Sequence, residues 1–131
     1  MREFEPLPRE LNAIGRVIYD SLFEVHRHLG PGLLESVYET CLIEELTRRG
    51  VAVQTQVFFP VVYKEQELKK FFRIDLLVGG CVVVELKAID ALGPIHEAQL
   101  LTYLKLSGLR LGYLVNFNTV LIKDGIRRLV L

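Results

Sequence analysis

Apolar side chains recur at helical spacing early in the chain: Ile14, Val17, Ile18, Leu22, Val25 and Leu29, with Arg16, Asp20, Glu24 and Arg27 on the other side. Gly30-Pro31-Gly32 ends this run, since glycine accepts the left-handed cap and proline cannot continue a helix. The pattern predicts a second helix from Leu34 to Arg49, closed by Gly50. The phase then changes. Val51, Val53, Val57, Phe59, Val61 and Tyr63 fall at period two, the mark of a half-buried strand. Lys64-Glu65-Gln66-Glu67 reads as a turn, followed by strands Lys70 to Val78 and Cys81 to Ala88 with a hairpin signal at Gly79-Gly80. A third helix is expected from Pro94, a residue suited to a first helical turn, to Ser107-Gly108. After it come strands Leu111 to Phe117 and Val120 to Ile122, a turn at Lys123-Asp124-Gly125, and a last strand from Ile126 to Val130.

The resulting order is α-α-β-β-β-α-β with a C-terminal β-hairpin. Strand Cys81 to Ala88, the third helix and strand Leu111 to Phe117 form a crossover, which should be parallel and right-handed. The fold class is therefore α/β, with a mixed four-stranded core sheet flanked by helices. The chain shows no internal repeat, low-complexity tract or interdomain linker, and 131 residues suit a single domain over 1–131 with one core.

Composition changes the picture in three places. Net charge is zero, with 16 Lys and Arg against 16 Asp and Glu, so nucleic acid would have to be held by a local patch or through metal. Two cysteines, Cys41 and Cys81, cannot complete a zinc site or a disulfide framework and read as small buried residues. No apolar run approaches the ~20 residues that span a bilayer, and Met1 to Pro6 has no apolar signal core. No membrane role and a cytoplasmic location are expected.

Chemistry concentrates at Asp75 and, ten residues on, Glu85-Leu86-Lys87, all inside apolar strand-like runs. Burying an unpaired charge costs several kcal/mol, on the order of the penalty for one desolvated ion. Two carboxylates and a lysine in such a place ask for compensation, and a hard divalent cation supplies it through carboxylate oxygens. The competing reading is a structural ion pair of Lys87 with one carboxylate on a solvated face.

Asp75 and Glu85-Leu86-Lys87 on adjacent strands of this order resemble the PD-(D/E)XK nuclease superfamily. Gly32-Leu33-Leu34-Glu35-Ser36-Val37-Tyr38 is similar to the pattern of its GxxExxY branch, and Gln99-Leu100-Leu101-Thr102-Tyr103 to the Gln-x-x-x-Tyr helix of RecB-like nucleases. The resemblance covers nearly the whole chain. It implies a restriction-endonuclease-like sheet and a nuclease dependent on magnesium or manganese, acting on nucleic acid, with DNA favoured by family habit. It also implies metal oxygens from Asp75, Glu85, the Leu86 carbonyl and Glu35, the last directly or through water. Lys87 would hold or help deprotonate the attacking water, and Gln99 and Tyr103 would orient Lys87 or the substrate backbone. The rival is a catalytically inactive nucleic-acid- or protein-binding module on the same fold. So small and neutral a chain leaves little surface for DNA, which points to a homodimer or to a recognition surface supplied by a partner.

Each assignment has a plainer counterpart. Glu35 is also a first-turn glutamate that favours the helix dipole. Glu45 intrudes on the apolar stripe and is assigned to a local pair with Arg48 or Arg49, His96 to the surface, and Tyr38 to packing. Lys69, Lys70 and Arg73 form either a phosphate-facing patch or a solvated face. One geometric condition is sharp. Glu85 and Lys87 share a strand face, and Asp75 joins them only if paired residue numbers across the hairpin have an even sum. Val78 facing Val82 around a three-residue loop meets it, as does Leu77 facing Cys81; a tight Gly79-Gly80 turn does not.

Overall fold

The computed structural model describes residues 5–131. Helix α1 (Arg9–Leu29) buries Ile18, Leu22 and Val25, and α2 (Glu35–Arg48) buries Tyr38, Leu42 and Leu46, both at helical spacing. The sheet then builds in chain order: β1 (Val53–Tyr63), β2 (Gln66–Val78), β3 (Val82–Lys87), β4 (Leu111–Asn116) and β5 (Ile126–Val130). Pairing is antiparallel except for β3 with β4, which run parallel through α3 (Pro94–Ser107). Among the described residues, no helix is long and apolar enough to cross a membrane.

The sheet has a core on each face. On one, Leu76, Val78, Val82, Val84 and Leu86 meet α1 and α2; on the other, Ile74, Leu77, Val83 and Leu114 meet Leu100 and Leu104 of α3. Alternate residues of β3 thus fill both cores, and its run from Val82 to Leu86 is buried throughout, as a central strand requires.

Three sequence expectations change. The turn expected over Lys64 to Glu67 contracts to Lys64-Glu65, both left-handed at φ 49 and 64°, so β2 begins at Gln66 rather than Lys70. Two residues at positive φ give the hairpin turn that matches strand twist. Val120 to Ile122 is not a strand. Val120 and Leu121 are exposed, and the chain enters a 3-10 turn over Ile122–Gly125. Consequently β5 pairs with β4, and the expected separate terminal hairpin becomes the fifth strand of one sheet. Gly125 makes this turn feasible, because a Cβ there would collide with the Asn116 carbonyl. Finally, Cys41 and Cys81 are free thiols but half-buried at the core margin rather than fully buried.

Candidate active site at the opening of strands β2 and β3

Val78 faces Val82 across Gly79-Gly80-Cys81, Leu77 faces Val83 and Leu76 faces Val84, so the paired numbers have an even sum. The ladder stops there. Continued, it would set Asp75 against Glu85 and Ile74 against Leu86. Instead the Asp75 N–H donates to Glu85 Oε1 and the Leu86 N–H donates to Asp75 Oδ2, each at 2.9 Å. Carboxylates have taken the place of main-chain carbonyls, and the strands part. Each carboxylate commits one oxygen to the opposite strand and keeps its other free of the main chain. The Leu86 carbonyl points into the same gap, because N–H and C=O of one extended residue face the same side.

A backbone irregularity lies beside the gap on β1. Thr55 pairs with Leu76 and Val57 with Ile74, which leaves Gln56 opposite Asp75 and both outside the ladder. Gln56 is left-handed at φ 52°, a costly conformation for a non-glycine residue. Its effect is visible in the packing. Val53 and Val78 face α1 and α2, whereas Val57, Ile74, Phe59 and Phe72 face α3. The hairpin exchanges its faces at Gln56 and Asp75, so Asp75 stands at a seam reached from both sides of the sheet.

The electrostatics follow. Burial pushes the Glu85 carboxyl up to about 8, and the charge of Asp75 adds to that, while Lys87 works the other way. From the α2 side, the carboxyl of Glu35, an exposed first-turn residue, is raised by partial desolvation and then by Asp75, again against Lys87. From the α3 side, the Tyr103 hydroxyl is raised by burial and then by Glu85 and Asp75. Tyr103 is held by stacking on Phe72, with ring centroids 5.0 Å apart. Lys87 is half-buried on β3 and forms no ion pair within 4.0 Å among the described residues, while its charge acts on Glu85 and Glu35.

The predicted residues are not gathered equally. Asp75, Glu85 and Leu86 interlock, Lys87 follows them on the strand, and Glu35 and Tyr103 sense them through charge. Gln99 is exposed on α3, one turn before Tyr103, with no hydrogen bond among the described residues. No group of three or more His, Cys, Asp or Glu among the described residues is close enough to cage an ion. The donor set is two carboxylates and a carbonyl. These are hard oxygen donors, of the kind a divalent cation takes while keeping several waters.

Two residues that the sequence reading passed over belong here. Glu39, one helical turn after Glu35, accepts a bond from Gln56 Nε2 at 3.3 Å, and its carboxyl is raised by burial and then by Asp75. The i, i+4 spacing from Glu35 was the available signal. Gln56 carries a buried Oε1 with no hydrogen-bond partner among the described residues. Other assignments resolve structurally. Glu45 bonds Arg49 at 2.7 Å, and His96 Nδ1 accepts the Gly93 N–H at 2.8 Å, capping α3. Tyr38 stacks on Phe117 and donates its hydroxyl to the Gly30 carbonyl, fixing the α1–α2 loop.

No curated protein and no solved structure matches the chain. A family match does exist: the profile of the PD-(D/E)XK nuclease superfamily covers residues 12–129, from the first turn of α1 to the end of β5, with the interlocked Asp75, Glu85 and Lys87 strands inside it. The chain belongs to the PD-(D/E)XK nuclease superfamily.

Proposed function

We propose that the protein is a divalent-metal-dependent nuclease of the GxxExxY branch that hydrolyses phosphodiester bonds in DNA. The observation that carries this reading is the replaced ladder rung. Asp75 and Glu85 sit where main-chain carbonyls belong, each with an oxygen to spare, beside a Lys87 that has no ion pair among the described residues. A sheet that sacrifices a rung to place two acids together stores repulsion that a cation would relieve.

Asp75, Glu85 and the Leu86 carbonyl would hold magnesium or manganese, with Glu35 reaching it through water. The ion, when bound, supplies positive charge that acidifies water and neutralises the phosphate. Lys87 positions the attacking water and stabilises charge developing on the phosphoryl oxygens. Tyr103, fixed by Phe72, and Gln99 beside it present their polar groups to the substrate backbone. Free thiols at Cys41 and Cys81 suit a reducing, cytoplasmic setting.

Plasmid, single-stranded DNA and RNA cleavage assays with magnesium, manganese or EDTA test the proposal, with Lys87→Ala as control. Cleavage by wild type that needs metal and is lost in Lys87→Ala supports it. Wild type inert on every substrate with both metals would convert the assignment to a binding module.

A further inference from the structure

The outer half of the β1–β2 hairpin has one face covered by α3 and one bare. Its covered face carries Val57, Phe59 and Phe72, with Phe59 on Phe72 and Phe72 on Tyr103 as successive ring stacks. That anchors the arm to α3. On the opposite face, register pairs Phe58 with Arg73 and Pro60 with Phe71, so these four share one surface. Phe58 is 64% exposed and Phe71 62%. Two bare phenylalanine rings on a rigid strand pair cost solvation and contribute nothing to the core.

Three observations favour a nucleic-acid strand as their partner. First, the patch is continuous with the candidate site. Arg73 is two residues from Asp75, and its charge acts on Glu35, Glu39 and Tyr103. Second, the arm is locally basic. Residues 57–73 carry Lys64, Lys69, Lys70 and Arg73 against Glu65 and Glu67, in a chain whose net charge is zero. Third, a bulge sets Leu68, Lys69 and Lys70 of β2 against Val61 alone, between the pairs Pro60 with Phe71 and Val62 with Glu67. Bulges re-aim side chains at functional edges. Exposed rings interleaved with cations beside a phosphodiesterase-type centre form a stacking platform for unpaired bases.

We propose that Phe58 and Phe71 stack bases of a single-stranded nucleic-acid segment, while the arm's lysines track its phosphates and Arg73 leads the strand toward Asp75. The proposal rests on the nuclease reading for the destination of the strand and adds its form: unpaired, because a base inside a duplex offers no free face to a ring. The neutral net charge then ceases to be a difficulty, since stacking takes over part of what charge does in basic nucleases.

Fluorescence anisotropy in EDTA measures binding without metal-dependent cleavage, using labelled oligo-dT, oligo-rU and a DNA duplex of equal length. Wild type should bind a single strand more tightly than the duplex, and the two strands distinguish DNA from RNA as its source. Phe58→Ala and Phe71→Ala should each weaken single-strand binding about 5- to 150-fold. Phe58→Trp should retain it. Lys69→Gln should lower the salt slope by about 0.7. Alanine variants that bind like wild type, equal affinity for duplex, or no strand binding by wild type would each overturn the proposal. So would light scattering that shows a wild-type dimer made monomeric by Phe58→Ala, since the patch would then be a self-contact. Failure here is separable from failure of the nuclease reading. Cleavage that proceeds without stacking dependence overturns the arm alone, and stacking-dependent binding without any cleavage overturns the nuclease alone.

Discussion

The two halves of the β1–β2 hairpin are stretches of the same two paired strands and end in opposite environments. The inner half, Val53 to Thr55 against Leu76 to Val78, lies under α1 and α2, with Leu76 and Val78 wholly buried. The outer half, Phe58 to Tyr63 against Gln66 to Arg73, is at least as aromatic and largely exposed. The boundary falls where Gln56 and Asp75 leave the ladder and the faces exchange. Stability is invested on one side of that boundary and contact surface on the other, with the candidate chemistry at the seam.

The largest effect should come from the seam itself. Lys87→Ala should lower turnover by about 10²–10³-fold, as loss of one preorganised electrostatic contact does, with folding and metal affinity kept. Asp75→Asn should abolish cleavage and weaken metal binding, yet still fold, because its amide oxygen can accept the Leu86 N–H. Cleavage kinetics and metal titrations on both variants decide the matter, and unfolding of either would place the seam with the core instead.

Next comes the contrast between halves. Leu76→Ala should cost about 2–5 kcal/mol by denaturant unfolding, the range for a fully buried leucine. Phe71→Ala should stay within about 0.5 kcal/mol of wild type, as exposed positions do. Comparable losses at both sites would erase the division proposed here.

A pH effect of intermediate size follows from Glu85. Its carboxyl sits near 4.5 when unperturbed and about 8 in the fold, through burial first and Asp75 second. The folded state therefore holds its proton more tightly. Stability from this group is complete below about pH 4.5 and drains away as pH rises through about 8. Melting temperatures of the metal-free protein should fall across that window, and Glu85→Gln should flatten the fall while keeping an acceptor for the Asp75 N–H. A wild-type profile that rises across the window would contradict the assignment.

The smallest effect concerns the boundary residue. Gln56→Gly relieves a left-handed conformation and removes a buried unpaired oxygen, but gives up the bond to Glu39. Metal-free stability should rise by up to about 1 kcal/mol. If the melting temperature drops instead, the Glu39 contact outweighs the strain.

Much of this arrangement was legible in the residues. Helices α1 and α2 announced themselves through apolar spacing, and β3 through an unbroken run of buried side chains around Glu85. The even register between Asp75 and Glu85 followed once the loop was Gly79-Gly80-Cys81. What escaped notice did so for physical reasons. Gln66 to Lys70 forms strand by pairing with β1 and buries nothing, so no alternation betrays it. Val120 to Ile122 has strand composition, but its first two residues are exposed and the chain turns around Gly125. Glu39 looked like any helical acid, since its importance comes from Asp75 across space. The face exchange at Gln56 depends on one backbone angle that no residue type there requires.

The replaced rung also installs two reporters in the protein. The amide protons of Asp75 and Leu86 bond to side-chain carboxyl oxygens rather than to peptide carbonyls. The Asp75 resonance should therefore move with the ionisation of Glu85, and both should jump when a divalent cation arrives, while their neighbours Leu77 and Val83, inside the regular ladder, stay still. Two peaks in one spectrum would read the occupancy of the centre directly, with no substrate and no turnover required.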